Sequence, residues 1–343
     1  MDIREAIDAV VSGQSLTMDE AAAVMRQIMQ GEATPAQLGS FLTALRLKGE
    51  STGEIAGMAT VMREFSLKVR PDPDIVQGPL VDSVGTGGDG SNTFNISTAA
   101  ALVAAGAGVR IAKHGNRAAS GSCGAADVLE ALGVCIELSP EGVERCIEEG
   151  GIGFMFAQAF HPSMRHAGPV RREIGIRTVF NILGPLTNPA AAQRQLIGVA
   201  FPQLGEKMAD VMRLLGSERT LVVHGAGGLD EIALDGDTSV WELRDGQVES
   251  WTFRPDDTGL GKWSVDDLRG GDREANAAAM RRLLGGEGGP IRDAVLLNTA
   301  GVLLAAGHAG NIPEGIQQAA QAIDSGAARQ RLDALVELSQ AGM

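Results

Sequence analysis

Residues 82–98 read DSVGTGGDGSNTFNIST, with Gly85, Gly87, Gly88 and Gly90 crowded between an apolar run and an alanine-rich one. Neither a helix nor a strand tolerates glycine at that density. The chain must therefore turn here, and glycine lets it turn sharply with backbone N–H groups presented on one side. The apolar run before it predicts a strand, and the alanine run after it a helix whose positive end points at the turn. Asn95, Ser97 and Thr98 are capping types at the start of that helix. A strand, turn and helix in this order predict a cradle for a phosphate. A glycine turn without a ligand is the bland alternative, and the coincidence of loop, caps and helix argues against it.

The run from Gly85 to Gly90 also satisfies GxGxxG literally. Alone, that match is weak evidence for a dinucleotide site. Lys113 replaces the acidic residue expected at the end of the next strand, and the helix begins well beyond the last glycine. The Walker A pattern fails too, because Ser91-Asn92 stands where Lys-Ser/Thr is required.

Composition narrows the class. A chain of 343 residues allows one large domain or two, and 44% hydrophobic residues support a sizeable core. Only 3% of residues are aromatic, Tyr is missing and the net charge is −14, so neither a base-stacking platform nor a basic face for nucleic acid is expected. Cys123, Cys135 and Cys146 show no CxxC spacing and read as reduced, structural thiols of a cytosolic protein. The N-terminal MDIREAIDAV is acidic and amphipathic rather than a signal peptide. No apolar run approaches the ~20 residues that span a bilayer. A soluble, cytoplasmic protein with no membrane or nucleic-acid partner is the expectation.

The first ~65 residues have helical periodicity only. Ile3, Ala6, Ile7 and Val10 share a stripe, and Thr17 to Glu20 and Ser51 to Glu54 are capping boxes that open helices. Thr34-Pro35 opens another, with Leu38, Phe41, Leu42 and Leu45 inward. After the turn-rich connector VRPDPDIVQG at 69–78, strand and helix patterns alternate. Strands are predicted at 80–84, 109–112, 152–156, 195–200 and 220–224, and helices at 99–105, 125–132, 140–149 and 204–215. That alternation predicts an α/β domain with a largely parallel sheet. Residues 240–253 read as a hairpin about Asp245-Gly246, and the chain from Arg273 on as helical.

Three further constellations carry chemistry. Lys113-His114-Gly115-Asn116-Arg117 closes the second predicted strand. Right-handed crossovers bring consecutive parallel strand ends to one edge, so Lys113 and Asn116 should face the glycine loop. For His114 a hydrogen-bonded core position and a site role both remain open. Asp230-Glu231 follows another strand and a glycine loop, where adjacent carboxylates suit Mg2+, with Ser97 able to add a hydroxyl. The segment 161–177 carries His161, Arg165, His166, Arg171, Arg172 and Arg177. In an acidic chain it reads either as a solvated helix face or as a site for an anionic substrate, whose carboxylate a guanidinium fork matches.

Taken together, GTGGDGSNTFNIST, KHGNRAASGSCGAADVLEALG, HPSMRHAGPVRREIGIRTVFNILGPLTNP, GLDEI and the earlier ALRLKGES closely resemble the anthranilate phosphoribosyltransferase family over essentially the whole chain. The resemblance implies a helical domain of residues 1–68, joined in space by about 162–190. It implies a larger α/β domain of residues 69–343 with a central, mostly parallel sheet, the nucleoside phosphorylase/phosphoribosyltransferase class of fold, and a homodimer. It also implies transfer of 5-phosphoribosyl from phosphoribosyl pyrophosphate (PRPP) to the amine of anthranilate, in tryptophan biosynthesis, with two Mg2+ ions. Carried over position by position, Gly85, Gly88, Asp89, Thr93, Asn95, Ile96, Ser97 and Thr98 would bind PRPP. So would Lys113, His114, Gly115, Asn116, Arg117, Ala118, Ala119, Ser120, Gly121 and Ala125. Gly85, Asn116 and Arg171 would contact anthranilate, and Ser97, Asp230 and Glu231 would hold the metal. Gly121 and Ala125 stand where the family often has serine, which puts two hydroxyl contacts to PRPP in doubt. No residue is assigned as general base, since the aromatic amine's lone pair is free at neutral pH.

Two rivals remain on the sequence. A pyrimidine nucleoside phosphorylase shares the fold class but has a differently written loop and lacks the KHGN segment in this form. A non-catalytic, nucleic-acid-binding relative would need a basic surface and a degraded anthranilate site, which the net charge, Arg171 and Asp230-Glu231 oppose.

Overall fold

The computed structural model describes residues 1–118 and 122–341. In the N-terminal segment each helix is opened by a side chain that caps it. Asp2 caps α1 (Ile3–Val11), Thr17 caps α2 (Met18–Gln30), Thr34 caps α3 (Pro35–Lys48) and Ser51 caps α4 (Thr52–Glu64), each in a reciprocal capping box. Both boxes legible in the sequence form. Glu54 does more than close its own box. Its buried carboxylate also accepts the Leu16 N–H at 2.9 Å and holds Lys48 Nζ at 2.9 Å, tying the loop before α2 and the end of α3 to the start of α4.

From residue 81 the predicted alternation follows, in the order β1 (Val81–Gly85), α5 (Ile96–Gly106), β2 (Ile111–Gly115), α6 (Ala125–Leu132), α7 (Pro140–Gly150) and β3 (Ile152–Phe156). Short helices α8 (Ala157–Phe160), α9 (Gly168–Ile174) and α10 (Phe180–Leu183) make up the basic segment. Then come β4 (Arg194–Gly198), α11 (Gly205–Leu214), β5 (Arg219–Gly225) and the hairpin β6 (Thr238–Arg244) and β7 (Gln247–Phe253). Helices α12 (Arg273–Leu284), α13 (Pro290–Ala306), α14 (Ile312–Asp324) and α15 (Ala327–Gln340) finish the chain.

The strands form one sheet of order β3-β2-β1-β4-β5-β6-β7. Its first five strands are parallel, β6 runs antiparallel to β5, and β7 runs antiparallel to β6. The chain order reverses direction between β1 and β4, so this is the switch point where α/β sheets open a crevice beyond their strand ends. Side chains alternate across the sheet. Leu196, Leu221, Val223 and Val240 enter a core with α5 and the C-terminal helices. Ile197, Val222 and Leu243 enter a second core with α1 to α4, α11 and Ala167, Val170, Val179, Phe180 and Ile182 of the basic segment.

Two sequence expectations shift. The second strand, expected at 109–112, runs from Ile111 to Gly115 and so includes Lys113 and His114, each buried. A charged residue resembles a strand end in the sequence, yet here it continues the strand. The helix after the glycine loop starts at Ile96 rather than Ala99, with Asn95 at its N-cap position but making no side-chain cap. Asn95 instead donates to the Cys123 carbonyl at 3.0 Å and accepts from Asn276 at 2.9 Å, while Ser97 and Thr98 lie inside the helix.

Candidate active site

The glycine loop leaves β1 at the switch point, and Gly87, Gly88 and Gly90 adopt positive φ of 63°, 76° and 76°, a backbone that side chains disfavour. No N-cap side chain caps α5; its Ile96 N–H bonds the Phe94 carbonyl at 2.7 Å, and the next, that of Ser97, turns to a carboxylate. Two of the site's N–H groups find carboxylates from far along the chain. Gly87 donates to Asp230 Oδ2 at 2.7 Å, and Ser97 donates to Glu231 Oε1 at 3.1 Å. The fit is close on the Asp230 side, since a Cβ at Gly198 would collide with the Asp230 backbone and one at Gly85 would meet its carboxylate.

Acidic charge is concentrated here. Burial, then repulsion from Asp89, pushes Asp230 up to about 6. Glu231 is raised well above the usual carboxylate range by burial and then by Asp230, with Lys113 opposing. Asp230 spends one oxygen on the loop and Glu231 one on the start of α5, and such hard oxygens suit Mg2+, which binds few protein ligands and keeps waters and phosphates. Among the described residues no group of three or more His, Cys, Asp or Glu is gathered as a closed metal cage. Two neighbouring carboxylates, each bonded to the backbone through one oxygen, fit an ion that completes its shell with water or phosphate oxygens.

Lys113 lies beneath the loop. Its ammonium donates to the Ser83 carbonyl, and burial lowers its pKa while Asp82 and Glu231 oppose that shift. Asp82, fully buried, is pushed up to about 6 by burial, against the attraction of Lys113. It accepts from Asn188 Nδ2 at 2.7 Å, and the same amide donates to the Ala112 carbonyl at 2.8 Å. The connector NILGPLTNP thus pins β1 to β2 directly below the loop. Sequence reasoning assigns no role to Asp82 or Asn188, although an acid inside an apolar strand is the available signal.

At the end of β2 opens a cavity of about 760 Å³ lined by Met62, His114, Asn116, His161, Arg171, Phe180 and Gly184 among others. Arg171, on α9, stacks over the Phe180 ring at 5.1 Å, and burial lowers its pKa with no carboxylate acting on it. His114 Nδ1 lies 3.2 Å from the Gly184 carbonyl, and its ring sits 5.1 Å from that of His161. Burial, then the neighbouring His161, pushes His114 down to about 3; burial, then Lys68, pushes His161 down to about 4. Both rings are neutral at physiological pH.

The expected residues are therefore divided. Gly85, Gly88, Asp89, Thr93, Ile96 and Ser97 lie on the loop and helix start, with Asp89 accepting from Ser91 Oγ at 2.6 Å. Asn116 and Arg171 share the cavity, as does the His114 side chain, which faces that cavity while its backbone N–H donates to Asp82. Arg117 does not turn toward the loop. It forks onto Glu130 at 2.7 and 2.8 Å and reaches Asp127 at 2.9 Å, ion pairs that the nearby α6 supplies. The Ala118 N–H also goes to Asp127, and Ala125 opens α6. Gly115 ends β2, where a Cβ would meet Phe154 at 2.8 Å. Ala119, Ser120 and Gly121 lie outside the described residues.

A helical bundle docked on a mostly parallel sheet, with a glycine loop and an acidic pair at its switch point, defines a glycosyl transferase with two domain types. Residues 4–66 match the family model described as "Glycosyl transferase family, helical bundle domain", and residues 77–329 that described as "Glycosyl transferase family, a/b domain". The chain is 56% identical to the anthranilate phosphoribosyltransferase of Chloroflexus aurantiacus over 342 residues, 99% of each chain. Among solved structures it superposes on the anthranilate phosphoribosyltransferase of Thermus thermophilus with a TM-score of 0.92 and 47% identity, covering 98% of this chain and 99% of that one. The enzyme of Saccharomyces cerevisiae in complex with PRPP and Mg gives a TM-score of 0.90 at 30% identity, over 99% and 98% of the two chains. The chain belongs to the anthranilate phosphoribosyltransferase family.

Proposed function

We propose that this site transfers 5-phosphoribosyl from PRPP to the amine of anthranilate, releasing pyrophosphate and N-(5-phosphoribosyl)anthranilate, the second step from chorismate to tryptophan. The observation that carries the reading is the juxtaposition of two unlike half-sites. The glycine loop and the start of α5, bound to Asp230 and Glu231, follow β1, and the neighbouring β2 carries His114 and Asn116 into a cavity holding Arg171, a largely buried cation with no acidic partner among the described residues.

In this reading the loop amides and the start of α5 hold the diphosphate, with Gly85, Gly88, Asp89, Thr93, Asn95, Ile96, Ser97 and Thr98 around it. Lys113 stabilises negative charge as the diphosphate departs and the ribose carbon gains oxocarbenium character. Ser97, Asp230 and Glu231 hold Mg2+, two ions in the full complex. When bound, Mg2+ supplies Lewis-acid stabilisation of that same charge. Arg171 grips the anthranilate carboxylate and Asn116 borders the amine, so the nucleophile is held at high effective concentration. The neutral His114 and His161 shield the ring from water, and no strong base is required. The loop 113–121 and Ala125 complete the PRPP side, with Arg117 ordering that loop through Glu130 rather than touching phosphate.

We further propose that the domain boundary lies at 68/69, with about 162–190 returning to the helical unit, and that the protein works as a cytoplasmic homodimer. The shared core of α1 to α4 with Ala167 to Ile182 supports the first point. Val11 and Leu47, 70% and 82% exposed on the helical unit, support a partner surface there. The three cysteines are free, as suits a reducing compartment.

Depletion of anthranilate fluorescence in the presence of PRPP and Mg2+, with controls lacking each, tests the function. Fluorescence that persists with all three present rejects it; a phosphate-dependent nucleoside cleavage would favour the phosphorylase reading instead.

A further inference from the structure

We propose that Arg177 is an additional binding residue for the diphosphate of PRPP, held over the glycine loop by Phe201. This rests on the functional reading above and extends it to a residue outside the loop.

Gly175, in the left-handed region at φ 67°, ends α9 and turns the chain back toward the sheet. Two residues later the Arg177 guanidinium lies against the loop. Its Nη1 and Nη2 are each 3.4 Å from the Gly87 carbonyl, and a Cβ at Gly88 would collide with it. One face stacks on the Phe201 ring, 5.2 Å from its centroid, and Phe201 is 39% exposed. Those two contacts to Gly87 are long for charge-assisted hydrogen bonds, which run about 2.7–2.9 Å. Arg177 forms no ion pair among the described residues, and most of its five donors are unspent. A planar cation stacked on an aromatic face, with its donors free over a nest of backbone amides, is arranged for a phosphate oxygen pair.

Which anion it meets follows from its neighbours. Gly87, whose carbonyl faces Arg177, donates its N–H to Asp230, so the guanidinium sits one residue from the carboxylate proposed to hold the metal. Arg171, not Arg177, lines the aromatic cavity. The diphosphate therefore meets Arg177, and anthranilate does not.

The test is calorimetric binding of pyrophosphate with Mg2+ to the wild-type protein and to Arg177→Ala, Arg177→Lys and Phe201→Leu, with ribose 5-phosphate as the second ligand. Melting temperature is monitored as a check on folding. Arg177→Ala should weaken pyrophosphate by about tenfold to a hundredfold, the range of a lost hydrogen bond to a charged group. Ribose 5-phosphate affinity and the KM for anthranilate should stay within about twofold. Arg177→Lys should recover part of the loss, because it restores charge without the fork. Phe201→Leu should lose less than Arg177→Ala. Unchanged pyrophosphate binding in Arg177→Ala overturns the proposal, and so does equal weakening of ribose 5-phosphate. Wild-type turnover of anthranilate with PRPP keeps the two questions apart: if it is missing, the functional reading fails first.

Discussion

Gly87 donates its N–H to Asp230 Oδ2 across 2.7 Å, although 143 positions separate the two residues in the chain. With the Ser97–Glu231 bond at 3.1 Å it joins the loop after β1 to the loop after β5 over the end of β4. The glycine loop is thus shaped by the same carboxylates that would hold the metal. Replacing Asp230 by Asn together with Glu231 by Gln should abolish Mg2+-dependent turnover, a fall in kcat of two orders of magnitude or more, roughly the cost of losing oriented electrostatic stabilisation. Steady-state rates across a Mg2+ titration check this, and a variant with unaltered metal dependence rejects these ligands.

Arg171 has no acidic partner among the described residues and stacks on Phe180 inside the cavity. Arg171→Ala should raise the KM for anthranilate by about tenfold or more, the loss expected for a hydrogen bond to a charged group, with the KM for PRPP nearly unchanged. Equal loss for both substrates, measured in the fluorescence assay, would count against the assignment.

What the sequence makes legible, and what it conceals, divides by the range of the interaction. The capping boxes at Thr17 and Ser51, the hairpin turn at Asp245 and the glycine loop are local devices, and they stand where the residues place them. Strand β2 reads too short because Lys113 and His114 look like a solvated end; only the distant Asp82, Asn188 and Gly184 make their burial tolerable. Asn95 is a capping type whose amide is taken by Cys123 and Asn276 instead, a tertiary bond outcompeting a local one. Arg117 sits in a binding motif yet turns to Glu130, a residue thirteen positions on that a motif cannot reveal. Arg177 is visible in the sequence only as one charge in a basic run; its place over Gly87 depends on how α9 turns back at Gly175.

Glu54 offers a test of how the helical unit is held. Its buried carboxylate serves Leu16, Ser51 and Lys48, and the Lys48 and Glu54 side chains are only 9% and 0% exposed. Glu54→Ala removes a cap and leaves the buried Leu16 N–H without its acceptor, while the Lys48 ammonium keeps the Gly49 carbonyl at 2.8 Å and the Ser15 hydroxyl at 3.2 Å. It should destabilise the protein by about 2–4 kcal/mol, the sum of a lost cap and an unsatisfied buried donor. Urea unfolding measures this, and a loss under about 1 kcal/mol, typical of an exposed pair, would show the contact to be incidental.

The raised carboxylates predict opposite pH trends for stability and for metal binding. In the folded protein burial and Asp89 push Asp230 up to about 6 from an ordinary 3.8, and burial and Asp230 raise Glu231 well above its ordinary 4.5. Between the two sets of values the folded chain binds more protons than the unfolded one. Without metal these two groups therefore favour the folded state least once pH has risen past their folded values. Mg2+ needs both groups ionised and must displace those protons, so its binding should strengthen over the same interval. The rise in melting temperature on adding Mg2+ should accordingly be small near pH 5.5 and larger near pH 8, and should vanish in the Asp230→Asn, Glu231→Gln double variant. His114 and His161, held down to about 3 and 4, are neutral throughout and cannot supply that inflection. His114→Gln should leave its midpoint in place whatever it does to substrate affinity. A Mg2+ effect of constant size across this range, or a midpoint that moves with His114, would mean that these carboxylates do not compete with protons for the metal.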